Sequence, residues 1–257
     1  MNYNSLDNYI RCCFDEAIND LPDLKDISVQ LYYGRTEDLI PMLPMLKKFL
    51  SQEERLRADK FHFESDRSTY IICHSLIRKI ISGKLRINPS DIIIIYDANN
   101  KPWLKGNPLF FNLSHTRDDF AFAVSDNARV GVDLENFERN IDFKAIIRKF
   151  FSNGEEEYIL GDREKSKDRF FLLWTRKEAF LKALGTGIID NLQDVEVFRK
   201  ENYLKKESLK NILDEKYLCD HFIYSMKADN NYLSVAVPAK AKIILNHLTP
   251  ESLYSFF

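Results

Sequence analysis

The sequence predicts an α+β protein made of two similar halves, on three observations. Segments of helical period are followed by short alternating or fully apolar runs, and this order occurs twice along the chain. The runs are separated by Asn- and Asp-bearing turns, as antiparallel strands require. The 257 residues suffice for one large domain or two smaller ones, and a 45% hydrophobic, 13% aromatic composition supplies a core. No sequence repeat marks the duplication directly. The change of pattern places the linker near Asp126 to Arg129, giving an N-terminal extension over 1–26, one half over 27–127 and a second over 128–257.

In order, Ser5 to Asn19 reads as a short amphipathic helix, ended by Leu21-Pro22, and Ile27 to Tyr33 alternates as a strand. Pro41 and Pro44 break the next apolar segment, leaving a loop and a short helix near Met45 to Leu50. Ser51 and Glu54 have capping-box spacing and open a charged helix through about Phe61. A longer helix follows from about Ser65 to Leu85, with Tyr70, Cys73, Ile77, Ile80 and Ile81 on its buried side. Strands are predicted at Ile92 to Tyr96, Leu109 to Leu113, Phe120 to Val124 and Arg129 to Glu135. The second half opens with helices near Phe143 to Phe150, Ser152 to Leu160 (Ser152 and Glu155 again spaced as a capping box) and Lys165 to Leu184. Strands at Val195 to Phe198, His221 to Lys227, Tyr232 to Val237 and Lys242 to Leu245 complete it.

Charge and cysteine usage narrow the function classes. A formal net charge of −2 provides no broad basic field for nucleic acid. Four cysteines form no CxxC pair and no disulfide framework, which fits a reducing cytoplasm. The N-terminus lacks a signal-peptide layout, and no apolar run approaches the roughly 18 residues of a membrane span.

Three stretches hold polar groups where chemistry would need them. In Phe170 to Gly185, Phe170, Leu173, Trp174, Phe180, Leu181 and Leu184 share an apolar stripe, with Gly185 as C-cap, but Lys177 projects into its middle. Glu178 flanks the stripe, with Thr175 and Lys182 beside it. The plain reading is a snorkelling lysine and an ordinary Glu178–Lys182 pair; the sharper one is two ammonium groups and a carboxylate presented to a phosphate. The helix alone does not choose. In Val130 to Glu135, strand alternation puts Asp133 and Glu135 on one face, where they repel unless a cation intervenes; oxygen ligands of this kind suit Mg²⁺, though solvated edge carboxylates are common. Finally, Phe111-Asn112-Leu113-Ser114-His115 ends a strand. Ser114 and His115 face opposite ways, so they suit an anion better than a nucleophile–base pair.

Together these stretches resemble the signature of the 4′-phosphopantetheinyl transferases. Val-Gly-Val-Asp-x-Glu is followed, 45 positions on from Asp133 to Glu178, by Trp-Thr-x-Lys-Glu-Ala-Phe-x-Lys. Phe111 to Thr116 is similar to the FNLSHS-type segment of two-domain, Sfp-type members, and Lys101-Pro102 to their G-K-P turn, with Asn100 replacing the glycine. The resemblance covers about Ile27 to Phe198. It implies two α+β halves related by a pseudo-twofold axis, with coenzyme A in the cleft between them, and a monomer. It implies transfer of the phosphopantetheine arm to a serine of an apo acyl- or peptidyl-carrier protein, with release of adenosine 3′,5′-bisphosphate. Asp133, Glu135 and Glu178 would hold Mg²⁺ (Mn²⁺ being the alternative ion), and Lys177 and Lys182 would neutralise the transferred phosphate. Ser114 and His115 would meet the nucleotide's 3′-phosphate end, with Lys101 and Arg67 adding charge there. Glu178 would take the serine proton, directly or through water. Two competitors stand beside this reading: a metal-dependent hydrolase or nuclease using the same carboxylates, and a non-catalytic module in which they form a solvated rim.

Overall fold

Strand alternation builds the molecule in layers. In the computed structural model, which describes residues 27–106, 108–199 and 203–256, β1 (Ile27–Arg35) sends Val29, Leu31 and Tyr33 to one side and Tyr32 to the other. The first sheet has the order β10-β1-β5-β4, comprising β4 (Phe110–His115), β5 (Asp119–Ser125) and β10 (Ala241–Leu248); β10 runs parallel to β1 and the other pairs are antiparallel. The second is fully antiparallel, in the order β6-β9-β8-β7, from β6 (Gly131–Asn136), β7 (Tyr203–Leu204), β8 (His221–Ala228) and β9 (Asn231–Val237). A separate hairpin pairs β2 (Ile94–Tyr96) with β3 (Pro102–Leu104).

The two sheets face each other across one apolar layer. Val29, Leu31 and Ala123 from the first meet Val132, Leu134, Leu233 and Val235 from the second. Their outer faces carry helices. α1 (Gln52–Ala58) and α2 (Glu64–Leu85) lie in the first half, where the face bearing Phe120 and Phe122 buries Ile72, Leu76 and Ile80 of α2. α3 (Phe143–Phe150), α4 (Asn153–Leu160) and α5 (Ser166–Leu184) cover the second sheet, with Phe170, Phe180 and Leu184 of α5 in that core. Each half is thus a long helix on a mainly antiparallel sheet, and the α+β reading holds.

The halves also share a device built on their capping boxes. Both predicted capping boxes form, at Ser51/Glu54 and Ser152/Glu155. Each box glutamate then turns under its half's long helix and meets a buried basic side chain. Glu54 binds Arg78 of α2, whose guanidinium also donates to Pro89 O at 2.6 Å and Ile92 O at 3.0 Å. Glu155 binds Lys177 of α5 at 2.9 Å, and that ammonium donates to Leu192 O at 3.0 Å and Val195 O at 2.5 Å. Burial alone would raise Glu54, but hydrogen bonds from His74, Arg78 and Ser51 overcome it and hold the carboxyl at about 2. In both halves an ion pair staples helix start, long helix and following loop together.

Three boundaries differ from the sequence reading. Residues 241–256 belong with the first half: β10 joins its sheet, and Leu253 of α6 (Pro250–Phe256) enters its core. Val195 to Phe198 is no strand, because side chains take its backbone bonds: Glu155 accepts from Val197 N, and Arg176 donates to Val197 O, both at 2.8 Å. The segment before α1 is a chain of short helical turns over 36–49, which Pro41 and Pro44 keep from merging. The N-terminal extension and its expected helix lie outside the described residues.

Lys177→Met should strand Glu155 as a buried unpaired carboxylate and cost about 3–5 kcal/mol. Urea denaturation checks this, and Lys177→Met/Glu155→Gln should recover part of the loss.

Candidate active site

The site forms where β4, the edge of the first sheet, runs beside β6, the edge of the second, under the last turns of α5. Glycine makes the third contact possible: a Cβ on Gly131 would lie 2.1 Å from Ala179 O and 2.2 Å from Ala183 N. The backbone of α5 therefore lies directly on β6. Thr175 fixes the helix further along, sharing a 3.0 Å hydroxyl bond with Ser234, the residue opposite Asp133 in β9. As Val130, Val132 and Leu134 point into the inter-sheet core, alternation turns Gly131, Asp133 and Glu135 towards α5.

β4 is laced to β6 through side chains rather than a ladder. Asn112 Oδ1 accepts from Val132 N at 2.8 Å, and Ser114 Oγ accepts from Leu134 N at 3.2 Å. Two polar residues spaced by two on one face of β4 thereby satisfy two edge N–H groups spaced by two on β6. Asn112 was not singled out from the sequence. Its signal was a buried amide within an otherwise apolar run.

Asp133 and Lys182 form the centre. Lys182 Nζ donates to Asp133 Oδ1 at 2.7 Å and to Ser114 Oγ at 3.0 Å, and Ser114 donates to Asp133 Oδ1 at 3.1 Å. Asp133 is 4% exposed, and its second oxygen, Oδ2, is buried without a hydrogen-bond partner. Glu178 lies one turn before Lys182 on the same helix face. Burial, then the charge of Asp133, and more weakly that of Glu135, push its carboxyl up to about 7, against the pull of Lys182. Glu135, bound to Arg139 at 2.7 Å, is raised by burial and by Asp133. The three predicted carboxylates thus feel one another's charge. Among the described residues no three acidic, imidazole or thiol groups stand arranged as a finished metal shell. The donor set nonetheless fits a hard cation: a buried carboxylate oxygen lacks a partner, and burial and the charge of Asp133 raise both neighbouring carboxyls.

Other predicted residues have different work. Lys177 does not reach the cleft, since it is fully buried with three acceptors for its three protons. Lys101 is turned to the end of α5, donating to Ala183 O at 3.1 Å and to Lys182 O, and burial lowers its pKa to about 8. Arg67 pairs with Asp59 at 2.8 Å and Glu64 at 3.4 Å at the start of α2. Ser114 is saturated, donating once and accepting twice, so it orients Asp133 and Lys182 and has no bond left for a nucleotide. His115 is exposed on the opposite face, its Nδ1 3.1 Å from Thr116 O. In the Lys101-Pro102 turn, Asn100 takes a positive φ of 59°, a conformation asparagine tolerates and the resembled glycine adopts freely.

A carboxylate cluster short of positive charge, with one ammonium group beside it, on two helix-covered sheets, defines a site for handling phosphate esters. Comparison with known proteins gives the family. The family described as the 4′-phosphopantetheinyl transferase superfamily matches residues 129–233, and 4′-phosphopantetheinyl transferase, N-terminal, matches residues 41–131. The chain is 36% identical over 167 residues to the 4′-phosphopantetheinyl transferase psf-1 of Bacillus pumilus, covering 64% of this chain and 70% of that one. It is 34% identical over 154 residues to 4′-phosphopantetheinyl transferase HetI of a Nostoc species, covering 58% and 64%. To 4′-phosphopantetheinyl transferase Sfp of Bacillus subtilis it is 30% identical over 142 residues, covering 54% and 62%. The matched stretches thus span between about three-fifths and seven-tenths of these relatives. The chain belongs to the 4′-phosphopantetheinyl transferase superfamily, in the Sfp-type form whose two halves lie in one polypeptide.

Glu178 supplies a pH signature. Its folded pKa lies above the ordinary value, so the folded protein holds this proton more tightly, and stability from this group falls as pH rises from about 4.5 through about 7. Glu178→Gln should therefore stabilise the ion-free protein by roughly 1–2 kcal/mol at pH 8 and by little at pH 4.5. Melting curves at the two pH values test this. Millimolar Mg²⁺ at pH 8 should raise the melting temperature of the unaltered protein and leave Glu178→Gln nearly unmoved.

Proposed function

We propose that this chain transfers the 4′-phosphopantetheine arm of coenzyme A to a serine hydroxyl of an apo acyl- or peptidyl-carrier protein, releasing adenosine 3′,5′-bisphosphate. The observation that carries the chemistry is the buried, unpartnered Oδ2 of Asp133, beside a carboxyl raised to about 7 and an ammonium group on one helix turn. Asp133, Glu135 and Glu178 are the residues that would hold Mg²⁺, which when bound supplies charge neutralisation to the coenzyme A diphosphate. Lys182 is 30% exposed and has one N–H beyond its bonds to Asp133 and Ser114, so it can meet a phosphate oxygen as negative charge develops. The incoming serine oxygen forms a bond to the phosphorus of the pantetheine phosphate. The bond from that phosphorus to the bridging oxygen breaks, and the bisphosphate leaves with the electron pair.

The serine proton needs an acceptor poised near neutrality. Glu178 is placed for this role, directly or through a water; a Mg²⁺ held by the same carboxylates would offset the repulsion that raises its ion-free carboxyl to about 7 and so weaken it as a direct base, which favours the water route. His115 supports a place for the nucleotide at the open end of β4. One polypeptide supplies both halves of the cleft, which supports a monomer. A cytoplasmic setting accords with the free thiols of Cys73 and Cys219, and no helix among the described residues is long and apolar enough to cross a membrane. The net charge of −2 gives no support to a nucleic-acid substrate.

Mass spectrometry of an apo-carrier incubated with enzyme, Mg²⁺ and coenzyme A should record the gain of one phosphopantetheine. Asp133→Ala and Glu178→Ala should each reduce the rate at least about 100-fold with melting temperatures within a few degrees of the parent. Near-normal turnover in either would contradict the assignment. Hydrolysis of nucleotides or DNA without carrier modification would replace the reading with a hydrolase.

A further inference from the structure

The hairpin of β2 and β3 lies outside both main sheets, yet its tip carries one of the most fully bonded turns in the molecule. Asp97 Oδ1 accepts from the backbone N–H of Asn99 and of Lys101, each at 2.9 Å, and Asp97 Oδ2 accepts from Trp103 Nε1 at 3.0 Å. The tip then reaches across to the other half. Asn99 Nδ2 donates to Gly185 O at 2.8 Å, while Lys101 Nζ donates to Ala183 O at 3.1 Å and to Lys182 O. Three of the four residues from Lys182 to Gly185, at the end of α5, offer their carbonyls to two side chains of the hairpin. A helix terminus leaves its last carbonyls without partners inside the helix, and here another part of the fold supplies them.

The surroundings make this a rigid clamp. Lys101 is 8% exposed, its Nζ lies 4.8 Å from the centre of the Trp103 ring, and a Cβ on Gly185 would already approach Lys101 Cδ to 3.1 Å. The clamped turn is the one that carries Lys182, and Glu178 is one turn back along the same rod. A displacement of α5 along its axis would separate Lys182 from Asp133, which β6 holds independently through Asn112 and Ser114.

We propose that Asn99 and Lys101 are positioning residues, which fix the axial position of α5 so that Lys182 and Glu178 stay in register with Asp133. They act on the helix backbone and not on coenzyme A. This rests on the transferase reading for its kinetic consequence, and not for its structural one.

Asn99→Ala and Lys101→Met test it together. Positioning predicts one shared phenotype: a fall in kcat of about tenfold or more with the KM for coenzyme A within about twofold of the parent, since misplacing a reacting group by an ångström is that costly. It also predicts faster hydrogen exchange at the amides of Leu181 to Gly185 in the free protein, where no coenzyme or carrier is needed. Ile72→Val, in the opposite core, controls for lost stability and should keep kcat. A raised KM in Lys101→Met with a silent Asn99→Ala would overturn the proposal in favour of a coenzyme contact. Unchanged kcat and exchange in both variants would also overturn it. If Lys101→Met fails to fold, the exposed Asn99 still decides the matter. If the parent protein transfers nothing, the transferase reading falls, and exchange alone then supports or overturns the clamp.

Discussion

The close approach of α5 to β6 at Gly131 is the constraint on which the rest of the site depends. With no side chain there, helix backbone meets strand backbone, and a methyl group would collide with Ala179 O and Ala183 N. Two residues along the strand this places Asp133 against Lys182, and one turn back along the helix it brings Glu178 into the same field. A wider helix–sheet spacing would let each charge find its own water. At this spacing a buried carboxylate has one ammonium group for one of its oxygens and nothing for the other. The site is strained towards a cation by its packing.

The second organising feature is the pairing of each capping-box glutamate with a basic residue of the long helix. Glu54 with Arg78 and Glu155 with Lys177 occupy equivalent places in the two halves, and in both the basic group continues to two carbonyls of the loop that follows. Removing either partner alone leaves a charge in the core, which is why such pairs persist even where an apolar replacement would be no less stable. This gives Lys177 a reason to interrupt an apolar stripe that has nothing to do with phosphate. The adjacent residue, Glu178, turns about 100° around the helix and belongs to the cleft. Neighbours in one motif thus serve opposite purposes.

Much of the architecture was legible because it follows from short-range rules. The capping boxes at Ser51 and Ser152, the long helices over 64–85 and 166–184, and the Asp133/Glu135 face of β6 follow from spacing and alternation alone. The order and spacing of the motifs carry the resemblance to the family. The roles of individual polar residues were less legible. Lys101 and Lys177 are both cations inside motif segments, but each is satisfied by partners 15 or more residues away, namely Glu155, Leu192 and Val195 for Lys177 and the end of α5 for Lys101. Ser114 presented the same difficulty, because counting its bonds requires knowing that Leu134, Asp133 and Lys182 surround it.

The sequence by itself determined the class of fold, the local elements and the chemical inventory: carboxylates, ammonium groups and the glycine that lets them meet. Those depend on periodicity, backbone preference and residue type, which are written along the chain. Only the tertiary structure decided which charges face the cleft and which are consumed in holding it, and that β10 and α6 return to complete the first half. A side chain's role is set by the acceptors within about 3 Å of it. In this protein those acceptors come from distant segments that folding alone brings together.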